Sequence, residues 1–140
     1  MTKVDFYILG SNAREHTACK LIEKAYSLGH QIYVYTDSEA QARHIDELLW
    51  TFRDGSFLPH ELIQSGQEGR SPILVGSANA PESSNDVLVN LGENVPLFFS
   101  RFLRVAEIIG NTEDSKRQGR ERFKFYRERG YPLDTHELPA

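Results

Sequence analysis

The 140 residues are 39% apolar and 26% charged, which suits one compact domain over the whole chain (1–140) and leaves no room for a second. No apolar run approaches the roughly 18–20 residues of a membrane span, and the single cysteine, Cys19, excludes both an intramolecular disulfide and a multi-cysteine metal site. The net charge of −4 conceals an asymmetry, because residues 116–129 hold seven Lys/Arg against two Glu, a net +5 that leaves −9 for the rest.

In chain order, residues 4–9 are short and β-rich and predict a strand. Gly10-Ser11-Asn12 breaks it. Ala18, Leu21, Ile22, Ala25 and Leu28 recur at helical spacing, which predicts an amphipathic helix over 14–28, stopped by Gly29. Residues 31–35 predict a second strand. Asp37-Ser38 caps a helix from about 39 to 49, with Ala42, Ile45, Leu48 and Leu49 as its apolar face. This strand–helix–strand–helix order is the mark of βαβ units and a parallel sheet.

Residues 51–71 mix aromatics, Pro59, His60 and glycines and predict a loop region. Residues 73–75 and 86–90 are apolar and turn-bounded, as buried parallel strands are. Residues 96–109 predict a strand stub followed by a helix, since Phe98, Phe102, Val105 and Ile109 keep helical spacing. Thr112 opens a last helix to about 129, closed by Gly130. The expected fold is α/β: a single domain with a mostly parallel sheet flanked by helices, Rossmann-like or mononucleotide-binding-like in topology.

The chemistry usually grafted on that fold is missing from the sequence. Neither G-x-G-x-x-G nor G-x-x-x-x-G-K-[ST] occurs, so the lone Gly10 after the first strand is better read as a turn than as a phosphate-binding loop. The five histidines show no i, i+4 metal pair. Cys19, inside the first helix, reads as an inert packed thiol rather than a nucleophile. Neighbouring acids such as Asp46-Glu47 diverge by about 100° on a helix, so they form no acid–base couple. No catalytic residue, metal or cofactor is expected. The sequence start lacks a signal-peptide layout, and the expected location is the cytoplasm.

Two features remain. On the last helix, Lys116, Arg120, Phe123, Lys124 and Arg127 fall at steps of three and four and share one face, with Arg117, Arg122 and Arg129 beside it. A solvated charged face is the competing explanation. Like charges at i, i+4 repel, however, and repeated acceptance of that cost points to an anionic partner. Either a nucleic acid or an acidic peptide with an apolar end fits. The second feature is the cluster Leu49-Trp50-Thr51-Phe52 with Phe57-Leu58-Pro59-His60. It is either a core corner or a protein-binding patch, since Trp and Phe dominate interface hot spots.

The runs V-D-F-Y-I-L, I-D-E-L-L-W with S-F-L-P-H-E-L, and G-R-E-R-F-K-F-Y-R-E-R-G-Y follow one another from Val4 towards Leu138. In that order the chain resembles the chi subunit of bacterial DNA polymerase III. The resemblance implies a non-catalytic accessory subunit associated with the clamp loader. It implies two partners, the psi subunit and the acidic, Phe-ended C-terminal tail of the single-stranded-DNA-binding protein, and through the latter an indirect association with single-stranded DNA. Tail binding is implied for Lys116, Arg120 and Lys124, with Phe123 where the family commonly has Tyr. The psi-facing patch is implied at Trp50 and Phe57, with Phe52 and Pro59 as neighbours. Direct binding of single-stranded nucleic acid by the basic helix is the alternative, opposed by the −9 body, and a nucleotide-dependent enzyme is a more distant one.

Overall fold

All seven strands run parallel, in the order β3-β4-β2-β5-β6-β1-β7. The structure, a computed structural model, describes residues 1–139. The strands are β1 (Lys3–Leu9), β2 (Ile32–Tyr35), β3 (His60–Leu62), β4 (Ile73–Gly76), β5 (Val87–Asn90), β6 (Arg104–Ile109) and β7 (Leu133–Leu138). Three α-helices join them: α1 (Arg14–Ser27), α2 (Glu39–Thr51) and α3 (Glu113–Glu128). A parallel pair needs a crossover, and each helix supplies one.

The helices divide between the two faces of the sheet. Ala18, Cys19 and Ile22 of α1 and Ala42, Ile45 and Leu49 of α2 pack with Ile32, Val34, Val75 and Val89 in one core. Tyr126 of α3, flanked by Phe123 and Phe125, packs with Val4, Phe6, Val105 and Phe99 in the other. One face thus carries two helices and the opposite face one. The rest of the second face is covered by the segment through the 3₁₀ turn Phe99–Arg101, whose Phe98, Phe99 and Phe102 lie on it.

The α/β expectation holds, and so do α1, α3 and the first two strands. Ser38 caps α2, its Oγ accepting from the Gln41 amide at 3.1 Å. Cys19 is fully buried, and burial pushes its thiol up to about 12, as an inert packed thiol requires.

Other expectations need correction. Residues 96–109 hold no α-helix: a 3₁₀ turn leads into β6, an interior strand between β5 and β1. An interior strand is buried on both faces, so it shows no alternation, and the helical spacing from Phe98 to Ile109 is coincidental. Residues 51–71 are not all loop, because β3 adds a three-residue edge strand beside β4. The second helix runs two residues past Leu49 and takes Trp50 into its last turn. The strand β7, which the sequence did not suggest, pairs with β1 from Val4↔Leu133 to Leu9↔Leu138.

That last strand is fastened by charge rather than by apolar burial. Asp5 of β1 is buried, and its carboxylate accepts from Arg104 Nη2 at 2.7 Å and His136 Nε2 at 3.0 Å. Lys3 Nζ reaches Asp134 at 2.6 Å and Asp5 at 3.5 Å. Burial opposes ionisation of Asp5, but the His136 and Arg104 hydrogen bonds, with the Arg104 and Lys3 charges, outweigh it, and the carboxyl titrates below the usual carboxylate range. The depressed folded value stabilises the fold in full above the unfolded carboxyl value, about 3.8, and the contribution disappears as pH falls through the folded value. Unfolding free energy measured by urea titration is therefore expected to drop below about pH 4. Asp5→Asn should flatten that part of the acid limb, and an unchanged limb would contradict this assignment.

Candidate functional site

The cationic helix α3 is built from its seat outward. Thr112 Oγ1 accepts from the Ser115 amide at 3.1 Å, and Glu113 and Asp114 occupy the first turn, where the helix dipole favours acids. Gly119, Arg122 and Tyr126 form the buried stripe. Gly119 lies so close to the sheet that an added Cβ would collide with the Ile109 side chain.

Beneath the stripe, Glu107 of β6 is completely buried. One carboxylate oxygen accepts from Arg122 Nε at 2.7 Å; the other accepts from Tyr126 Oη at 2.7 Å and Asn90 Nδ2 at 2.9 Å. Arg122 Nη1 also donates to the Glu93 carbonyl, and Asn90 Nδ2 to the Asn94 carbonyl. The network ties α3, β5, β6 and the following loop together. Burial, then the Glu107 charge, push the Tyr126 phenol far up, so it stays a donor. Arg122, expected beside the outer face, is thus an internal residue.

The remaining cations face outward. Lys116 is half-buried, whereas Arg120, Lys124 and Arg127 are exposed. Lys124 stands 3.9 Å from Glu128, and Arg117 is 3.1 Å from Asp114. Among the described residues no carboxylate lies within 4.0 Å of Lys116, Arg120 or Arg127. Phe123 is half-buried, its ring 5.2 Å from Phe6, with the Arg127 guanidinium 5.9 Å from it. All five predicted residues therefore meet on one flank of α3: three uncompensated cations, a loosely paired fourth and a partly open ring. A cleft of about 480 Å³ also borders α3, between Val95, Arg117, Glu121 and Phe125. Its acids Glu93 and Glu121 are matched in number by Arg117 and Arg122 on the same wall.

The aromatic cluster gathers at the end of α2. Trp50 is 50% exposed and Phe57 71% exposed, with ring centroids 5.7 Å apart. Pro59 is half-buried beside them in sequence. Phe52 turns inward, packs on the first core and has its ring 6.0 Å from His16. The cluster is thus partly core corner and partly open patch. Its support is His60, part of the same cluster in the sequence: a buried ring 4.3 Å from Trp50. Leu62, 37% exposed, follows two positions on along β3 and so lies on the same strand face.

Doubly wound folds bind nucleotides at the carboxyl ends of their strands; at the ends of β5 and β6 that place is taken by Arg14. Arg14 donates from Nε to the Ile108 carbonyl at 2.8 Å and from Nη1 to the Leu91 carbonyl at 3.2 Å. Among the described residues no group of three or more His, Cys, Asp or Glu is placed to hold a metal ion. Among the described residues no helix is long and apolar enough to cross a membrane.

Comparison with known proteins decides the family. The model of the DNA polymerase III chi subunit, HolC, matches residues 1–134. The chain is 40% identical over 142 residues to the DNA polymerase III subunit chi of Pseudomonas aeruginosa, covering 99% of both sequences. This chain belongs to the DNA polymerase III chi subunit family. Similar chi subunits occur in Haemophilus influenzae, 32% identical over 95% of each chain, and in Escherichia coli, 29% identical over 96% of this chain and 97% of that one. The family is a replication accessory subunit of DNA polymerase III. The crystal structure of T4 UvsW shares the fold, with a TM-score of 0.69 at 11% identity over 99% of this chain and 42% of that one. A shared fold at that identity carries no function with it.

Proposed function

We propose that this chi-family chain is a cytoplasmic, non-catalytic adaptor that holds two proteins at once, acting as a single unit and needing no cofactor. The α3 flank of Lys116, Arg120, Phe123, Lys124 and Arg127 takes the acidic, Phe-ended C-terminal tail of the single-stranded-DNA-binding protein. The patch of Trp50, Phe57 and Pro59, backed by the inward-turned Phe52, takes the psi subunit, which connects the chain to the clamp loader. Contact with single-stranded DNA is then indirect.

The observation that supports this best is the set of cations on α3 that have no internal carboxylate beside a partly open ring. Carboxylates of a tail complete those cations by charge-assisted hydrogen bonds, and a terminal aromatic ring completes Phe123. Capture of the full-length single-stranded-DNA-binding protein by the immobilised chain tests the tail reading. Removal of that protein's last few residues should abolish capture. Retention without the tail, with a steep loss on adding salt in the presence of polynucleotide, would instead favour direct nucleic-acid binding.

The two surfaces are supported by different elements, α3 on one face of the sheet and the end of α2 on the other. Trp50→Ala is therefore expected to weaken psi binding by at least about 2 kcal/mol, the scale of an interface hot spot, with tail binding unchanged. Calorimetry with each partner checks this. Equal loss of both would indicate unfolding rather than a separate psi site.

A further inference from the structure

His60 is the buried member of the aromatic patch. Its side chain is completely buried, yet both ring nitrogens face oxygen acceptors. Nδ1 is 2.6 Å from the Leu58 carbonyl and Nε2 is 3.0 Å from the Asp46 carbonyl. A carbonyl only accepts, and a neutral imidazole carries a single N–H, so the neutral ring satisfies one of the two and turns a lone pair on the other. The imidazolium, with two N–H groups, satisfies both.

The surroundings accept that charge. Asp46 of α2 places Oδ1 3.5 Å from Nε2. The Trp50 ring, 4.3 Å away, offers a π system to a cation. Residues 57–59, which precede His60, and Ile73 of β4, its register partner, bring no charged side chain. Through these contacts the ring fastens the Phe57–Pro59 segment to the last turns of α2. Those two pieces carry the exposed rings Phe57 and Trp50.

We propose that His60, in its doubly protonated form, is the positioning residue of the Trp50–Phe57 docking patch, so that binding of an apolar protein partner there strengthens as pH falls. The inference rests on the docking role given above for the patch. Losing the second proton turns a ring lone pair on one of the two carbonyls, breaks that tether and frees the loop. The partner then has to order Phe57 itself, which lowers affinity roughly tenfold.

Trp50 is the only tryptophan, so its emission reports on the free chain without any partner. An adjacent imidazolium accepts an electron from excited indole and quenches it. Emission of the wild-type chain, followed from about pH 5.5 to 8.5, is expected to rise with pH, while His60→Gln gives a flat profile. Over the same range purified psi should bind the wild type roughly tenfold more tightly at the acid end, and His60→Gln with little pH dependence. A flat wild-type emission profile overturns the inference without recourse to the variant. So does psi binding whose pH profile is the same in wild type and His60→Gln. Absence of psi binding at every pH would instead overturn the docking role of the patch, a failure distinguishable from that of His60 by the emission profile.

Discussion

Glu107→Ala is expected to lower the unfolding free energy by about 3–5 kcal/mol, a fall of about 10–15 °C in Tm for a domain of this size. The reason is the geometry under α3. The carboxylate is fully buried and accepts from three donors, Arg122, Tyr126 and Asn90. Its removal leaves the Arg122 cation in the core with only the Glu93 carbonyl as acceptor. An uncompensated buried charge costs far more than the pair contributes when intact. The double variant Glu107→Ala with Arg122→Met should therefore recover much of the loss. Urea unfolding of the two single variants and the double one gives the coupling, expected above about 2 kcal/mol. Additive losses would show that Arg122 and Glu107 do not depend on each other.

The second large effect concerns binding. Reversing two cations, Lys116→Glu with Arg120→Glu, is expected to weaken the tail peptide roughly 100-fold at low salt. Each exposed contact is worth about 0.2–1 kcal/mol. Reversal removes that attraction and adds repulsion of similar size, so two reversals reach roughly 3 kcal/mol. Among the described residues neither has a carboxylate partner, so stability should change by no more than about 0.5 kcal/mol. The separation matters: Glu107 acts through the seat of α3, whereas Lys116 and Arg120 act at its surface. Screening should shrink the difference as salt rises. A variant that binds as tightly as the wild type would remove α3 from the account.

Much of this was legible in the sequence, for physical reasons. The 3.6-residue period of α1 and the outer face of α3 is set by burial on one side only, and such a period can be read directly. The grouping of Lys116, Arg120, Phe123, Lys124 and Arg127 followed from it. Arg122 was not legible as a buried residue, because it sits among six other cations and its internal partner is fifteen positions away. A signal did exist. Gly119, Arg122 and Tyr126 share the helical spacing of a buried stripe, and Glu107 interrupts the strand R-V-A-E-I-I, where an unpaired charge would be costly. The strand β6 was misread because burial on both faces erases period two. β7 was invisible for the opposite reason: Leu133–Leu138 is mostly exposed and held by ladder bonds and the Lys3, Asp5 and Arg104 charges. The role of His60 depends on two carbonyls that only the folded chain brings to its ring.

The most direct test of the adaptor account is a calorimetric titration of the purified chain, at low ionic strength, with an Asp-rich peptide ending in Pro-Phe, beside the Arg120→Ala variant. The account predicts saturable one-to-one binding to the wild type and about a two- to fivefold loss in the variant. No heat of binding to the wild type, or equal affinity for both proteins, would contradict it.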